Sequence, residues 1–246
     1  MKTQKSKLKI HNSVVKLIGV TKRYTIHHEK PTLVEKFING RNESFLALRD
    51  INFDVKRGEK IGLIGPNGSG KTTLLKLITG ITAPTWGTVI VNGRVVSLID
   101  LEAGFHPELT GEQNIFLNGM LLNMDKKEIK SKLKKIIAFA NINRFIDAPM
   151  YTYSEGMKLR LGFSVISHTK PDILILDENI AIGDQDFREK AYKKITEFVD
   201  RGTTVLIASH WLEFIQASCD RVIWLKDGQI EKDGKPSSVI KEYLRK

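Results

Sequence analysis

Nine residues, GPNGSGKTT at 65–73, constrain this chain more than any other stretch. They satisfy the phosphate-loop pattern G-x-x-x-x-G-K-[ST] and follow KIGLI, an apolar run after the Arg57-Gly58 turn that reads as a buried strand over 60–64. The pattern works only in that setting. A strand delivers the loop to the start of a helix, and its glycines let successive backbone N–H groups converge on phosphate oxygens at the helix N-terminus. Gly65, Pro66, Asn67, Gly68, Ser69, Gly70, Lys71, Thr72 and Thr73 are therefore the candidate phosphate contacts. Lys71 supplies charge at the β and γ phosphates, and the Thr72 hydroxyl is a candidate ligand for Mg2+.

The rest of the chain alternates short apolar runs with turn residues. Residues 14–20 and 50–55 read as strands, the second with Ile51, Phe53 and Val55 on one face. TVIVNGRVVSL (88–98) predicts a hairpin, because Asn92-Gly93 supplies the two positive-φ residues of a type I′ turn. Together these runs predict an antiparallel sheet beside a P-loop core. Over 110–148 the pattern turns helical: Asp125 and Glu128 have capping-box spacing, and Leu117, Leu121 and Leu122 fit one helix face. A helical subdomain is expected over residues 105–165, inserted in the core. DILILDE, TTVLIAS and DRVIWLKDG then return to strands, separated by helices over 186–200 and 211–218, which implies a parallel sheet covered on both faces. The expected fold class is α/β: a P-loop core with an N-terminal antiparallel β-subdomain and a helical subdomain, in one domain over 1–246.

Composition excludes some functions and leaves others open. No apolar run reaches the length of about 18–20 residues that spans a bilayer, and the N-terminus is too polar for a secretory segment. The protein is expected in the cytosol. Cys219 is the single cysteine, so no intrachain disulfide forms, and among apolar neighbours it reads as a small buried thiol. A net charge of +11 suggests an anionic partner, either nucleic acid or the inner face of a membrane. Much of that excess lies in DKKEIKSKLKKIIAFA, where Ile129, Leu133, Ile136 and Ile137 recur at helical spacing and lysines fill the other face. A solvated helix face and a binding surface are both open readings.

The second catalytic element is ILILDE (173–178). Asp177, at the end of a buried strand, is the candidate Mg2+ carboxylate, acting directly or through water. Glu178 would face the space beyond the γ phosphate, where a carboxylate orients or deprotonates the attacking water. These parts alone fit a small-molecule kinase, a recombination ATPase or a transport ATPase equally.

The order of the remaining pieces decides among them. TYSEGM, ILILDE, AIGDQDF and IASHW, in that sequence, resemble the nucleotide-binding subunits of ABC transporters, and the likeness runs from about residue 14 to the C-terminus. The resemblance implies the ABC ATPase architecture, with ATP and Mg2+ bound, and a catalytic set of Lys71, Glu178 and His210, the last as the switch residue. It makes Ser154, Glu155, Gly156 and Met157 the signature turn that touches the ATP of a second subunit. Asp184 becomes the D-loop residue, Tyr24 the aromatic that stacks on adenine, and Asp100 the Q-loop candidate, with Gln113 too far downstream for that place.

GFHPELTGEQNI, YSEGM, DENIAIGDQDF and FSVISH further resemble the subfamily that exports O-antigen, capsule or teichoic acid chains. That resemblance implies a homodimer held by a membrane permease on the cytoplasmic face of the plasma membrane, with contact to an anionic membrane surface open and no nucleic acid expected. It also places an amphipathic gate helix within residues 31–44, where Leu33, Val34, Phe37 and Ile38 share a face; a connector packed on the sheet is the other reading. The sequence ends after KPSSVIKEYLRK, and a C-terminal carbohydrate-binding domain is not expected within it. Glu155 stands where relatives carry Gly or Ser, and like-charge repulsion predicts that it points away from the phosphates. The rival reading, a non-transport ABC ATPase acting on nucleic acid or the ribosome, fits less well without a coiled-coil insertion or a second cassette.

Overall fold

A computed structural model describes residues 13–26, 43–99, 101, 102, 104–177 and 184–245. Two sheets organise it. Strands β1 (Ser13–Ile26), β2 (Glu43–Lys56) and β4 (Trp86–Val91) form an antiparallel sheet in the order β2-β1-β4. The second sheet contains β3 (Lys60–Ile64), β5 (Val95–Ser97), β6 (Ile173–Leu176), β7 (Thr204–Ala208), β8 (Arg221–Lys226) and β9 (Gln229–Gly234). Its order is β5-β6-β7-β3-β8-β9, parallel except where β9 turns back on β8.

The apolar runs of β3, β6 and β7 are continuous because both faces of this sheet are covered. Ile173, Ile175, Leu206 and Ala208 pack with Ile61 and Leu63 toward the antiparallel sheet and helix α1 (Lys71–Ile78). Leu174, Leu176, Val205 and Ile207 face the other way, against α4 (Glu155–Ser167), α5 (Gln185–Asp200), α6 (Leu212–Ser218) and α7 (Pro236–Tyr243). The alternation is the period of two that a strand imposes on its side chains.

Helices α2 (Gly111–Leu121), α3 (Lys126–Ala140) and α4 enclose a third core of Ile115, Ile129, Ile136, Met150, Leu161 and Val165. Phe139 of α3, Phe163 of α4 and Phe187 of α5 meet at centroid distances of 5.5–6.1 Å, two of the three pairs edge to face. Such pairs add about 0.5–1.5 kcal/mol each beyond their buried area. They fasten the helical layer, and the turn before α4 with it, to the sheet.

Three expectations change. The hairpin does not form: β4 and β5 belong to different sheets, Asn92 does not take a positive φ, and Gly93 alone does. The Asn92 N–H instead bonds to Val14 O at 2.8 Å, while the Arg94 N–H donates to the Asp172 carboxylate at 2.8 Å and opens the parallel β5–β6 pairing. A nonlocal partner outweighs the local turn signal. In α2 the buried side is Gly111, Asn114, Ile115, Asn118 and Gly119, whereas Leu121 is exposed. Asn114 is tolerated there because its side chain donates to His106 O, Leu109 O and Thr110 O and accepts from the His106 N–H. β2 also begins seven residues earlier than the sequence predicts, since its first half pairs with residues 22–26 of β1. The segment read as a gate helix or connector lies outside the described residues apart from Glu43 and Ser44, which are strand.

Candidate ATP site

Parallel pairing of β3 with β7, and of β7 with β6, brings the C-terminal ends of all three strands to one edge. That edge receives Gly65 from β3, Asp177 from β6 and His210 shortly after β7. The P-loop spans the gap between β3 and α1. Gly65 and Gly70 both take positive φ, and a Cβ on Gly70 would lie 2.7 Å from Ala47 O, so the loop closes against β2 only with glycine there.

Within this edge the polar groups are built in. Lys71 is buried, and its Nζ donates to Gly65 O at 2.8 Å and to Pro66 O at 3.3 Å, which folds the ammonium back over the loop. The Thr72 hydroxyl donates to the buried Asp177 carboxylate at 3.4 Å. His210 Nε2 lies 3.1 Å from Asn67 Oδ1, joining the turn after β7 to the loop. Ser69 Oγ is buried without a hydrogen-bond partner among the described residues, an unusual cost in a folded protein unless a ligand satisfies it. Asn67, Ser69, Lys71 and Thr72 line a cleft of about 300 Å³, bounded by residues 67–73 with Phe45 and Ala47 of β2, and Asp177 and His210 reach it through their contacts with Thr72 and Asn67. The donor set fits a polyphosphate, and the Thr72 and Asp177 oxygens suit a hard divalent cation.

Tyr24 is half-buried and does not line that cleft; it stacks on Phe45 at 5.6 Å with the ring planes 29° apart. Phe45 was invisible in the sequence because its strand begins where a helix or connector was read.

The signature turn sits away from this cleft. Ser154 is the N-cap of α4, its hydroxyl accepting from the Met157 N–H at 3.3 Å. Tyr153 anchors the turn, its buried hydroxyl donating to Phe145 O at 2.6 Å. Ser154 and Glu155 are exposed, and a Cβ added at Gly156 would meet nothing within 4 Å. The Glu155 carboxylate accepts from Lys158 Nζ at 2.7 Å, and that ammonium holds it below the usual carboxylate range.

Asp184 caps α5 through a 2.9 Å bond from the Phe187 N–H and lies 3.4 Å from Nη1 of Arg160, a residue of α4 that the sequence reading passed over. The arginine stands six residues along the helix from Ser154, so its link to Asp184 ties that helix to the start of α5. Gln113 is occupied in a capping box with Thr110. Asp100 and Glu178 lie outside the described residues.

This is the fold of an ATP-binding cassette. The ABC transporter family profile matches residues 48–181, and the chain belongs to that family. It is 42% identical over 240 residues to the O-antigen export system ATP-binding protein RfbB of Klebsiella pneumoniae, covering 94% of this chain and 97% of that protein. The teichoic acids export ATP-binding protein TagH of Lactococcus lactis is 47% identical over 206 residues, spanning 83% of this chain and 44% of that longer relative. Among solved structures, a dimeric ATP-binding cassette in a post-hydrolysis state with ADP and Pi superposes with a TM-score of 0.67 over 90% of this chain and 98% of its own, at 24% identity. Among the described residues no helix is long and apolar enough to cross a membrane.

Proposed function

We propose that the chain is the ATP-hydrolysing subunit of an ABC exporter that moves lipid-linked polysaccharide, of the O-antigen, capsule or teichoic acid kind, across the plasma membrane. The observation that carries this reading is the match to an O-antigen export ATP-binding protein over nearly the whole of both chains. In this reading ATP is the substrate, and water displaces ADP from the γ phosphorus. The P-loop backbone and Lys71 hold the β and γ phosphates, Ser69 offers its buried hydroxyl, and His210 contacts the γ phosphate from the opposite wall. Thr72 and Asp177 would hold Mg2+, which when bound supplies neutralising charge at the phosphates. Glu178, directly after Asp177, orients the water and takes its proton. Tyr24, stacked on the Phe45 that lines the cleft, is the aromatic against which adenine would stack.

The other half of each site comes from a second copy: Ser154, Glu155, Gly156 and Met157 cover the partner's nucleotide, and Asp184 lies beside it. Two copies dock on a permease at the cytoplasmic face of the membrane, and the closing and opening of the dimer drives it. Replacing Glu178 with Gln is expected to leave ATP binding intact, abolish turnover and hold the dimer closed. Nucleotide binding, phosphate release and gel filtration with ATP test this, and a variant that hydrolyses ATP at the parental rate contradicts it. Co-purification with a permease that stimulates ATPase activity, followed by glycan export from vesicles, tests the transport role.

A further inference from the structure

Helices α3 and α5 are almost equally long, 15 and 16 residues, and each turns one face to solvent. α5 balances its charges, with four acidic and four basic side chains, and its Glu197 pairs with both Lys194 and Arg201. α3 carries six lysines and one glutamate, and that glutamate is engaged by Lys132 at 2.7 Å. We propose that the lysine face of α3 rests on an anionic phospholipid surface and holds the helical subdomain against it. That a membrane lies within reach rests on the export reading above.

Lys127, Lys130 and Lys134 recur at helical spacing, turned away from the buried Ile129, Ile136 and Ala140, and all three are exposed. Lys126 and Lys135 flank them and are exposed too. Among the described residues none of these ammonium groups has an ion-pair partner. Such a face works against its own helix. Lys130 lies three residues from Lys127 and four from Lys126 and Lys134, so like charges stand over one another at successive turns. Lys126 and Lys127 also occupy the first turn, where the macrodipole disfavours cations. A face turned only to water gains nothing from this arrangement, and α5 shows the balanced alternative in the same molecule.

The residue types say which anion suits the face. Its exposed arc has no arginine and no aromatic ring, the side chains that fork onto a nucleic-acid phosphate or stack on a base. Lysine is a compact charge on a flexible stem, suited to headgroups that move within a sheet. The apolar side of α3 is packed into the third core, with Ile129 and Ile136 fully buried, so the contact is one of charge rather than insertion. Lys132 also donates to His168 O at 2.7 Å and ties the helix to the end of α4. Burial above all, joined by the ammonium groups of Lys194, Lys132 and Lys135, holds the His168 imidazole below its usual range. The positive field of α3 therefore reaches the neighbouring helix end instead of being neutralised locally.

Co-sedimentation of the full chain with phosphatidylcholine vesicles, and with vesicles that also contain phosphatidylglycerol, tests this at low and high salt. The parent is expected to bind only the anionic vesicles and to leave them as salt rises. Lys127→Gln, Lys130→Gln and Lys134→Gln combined should weaken that binding by about 100-fold, roughly fivefold for each lysine near the surface. Arg188→Gln, Lys190→Gln and Lys193→Gln combined remove the same charge from α5 and should weaken it far less. The α3 variant should melt no lower than the parent, because like-charge pairs are gone, and a lower melting temperature would contradict the repulsion argued for the helix. The proposal is overturned if the parent ignores anionic vesicles, if the α3 variant binds them as the parent does, or if the α5 variant loses as much. It is also overturned if nucleic acid strips the parent from vesicles at a phosphate concentration below that of the lipid. Vesicle binding of this kind without a permease that stimulates the ATPase would keep the surface and sink the export reading. A permease-stimulated ATPase that binds no anionic vesicles would keep that reading and sink the surface.

Discussion

The P-loop edge and the signature turn belong to one chain but are built in opposite ways. At the edge, Lys71, Ser69 and Asp177 are buried, and Lys71 and Asp177 hold hydrogen bonds to the loop itself. At the turn, Ser154 and Glu155 are exposed, Gly156 looks onto open space, and the Glu155 carboxylate pairs with Lys158 of the same helix. A buried polar cluster costs stability unless something occupies it, and a glycine with open space beside a helix cap gains its own fold nothing. In the proposed function the first region is a finished half-site and the second a surface offered to the partner's nucleotide, and the difference in burial is what that division of labour requires.

The largest expected effect comes from breaking the finished half. Lys71→Ala removes a buried ammonium folded over the loop, together with its bonds to Gly65 O and Pro66 O. Steady-state ATPase activity should fall by about 100-fold or more, the usual loss when a preorganised donor to developing charge is removed. An activity within a few-fold of the parent would mean that the cleft is not the reaction site.

A change at the turn sharpens the contrast. Gly156→Asp adds a carboxylate where the surrounding space is empty and at the start of a helix, where an acid is well placed. Thermal stability and the affinity of the separate chain for ATP should be unchanged, while hydrolysis at concentrations that allow pairing should be lost through repulsion of the partner's phosphates. Weakened ATP binding by the separate chain would show that the turn serves its own cleft.

The smallest effect lies behind β3, where α6 seals the core. Burial pushes the Cys219 thiol up to about 12, from an ordinary value of 9.0. The unfolded thiol therefore ionises first, the unfolded state holds fewer protons above pH 9, and stability falls as pH rises from about 9 toward 12. Urea unfolding across that range should show the parent losing stability relative to Cys219→Ala, and parallel profiles would remove the thiol as the cause.

Legibility in the sequence followed the same division. The P-loop, the carboxylate strand and the β3, β6 and β7 core were readable because each is a short apolar run closed by a motif, and local pattern and burial agree there. The order of the signature, D-loop and switch segments gave the family, since spacing survives when single residues are ambiguous. What failed was nonlocal. Asn92-Gly93 carries a hairpin signal, yet Arg94 finds its partner at Asp172, seventy-eight residues away in sequence. Phe45 was hidden because half of β2 is dictated by β1, and Arg160 because nothing local marks an arginine on α4 as the neighbour of Asp184.

The central claim is that each ATP site is completed by two chains, and complementation tests it most directly. Lys71→Ala spoils one half of the composite site and Gly156→Asp the other, so each purified variant alone should be inactive. Mixed in equal amounts, they should form heterodimers with one intact site and recover about a quarter of the parental activity, because half the dimers are mixed and each holds one good site of two. A mixture as inactive as its components would contradict the account, as would a Gly156→Asp variant that hydrolyses ATP fully by itself.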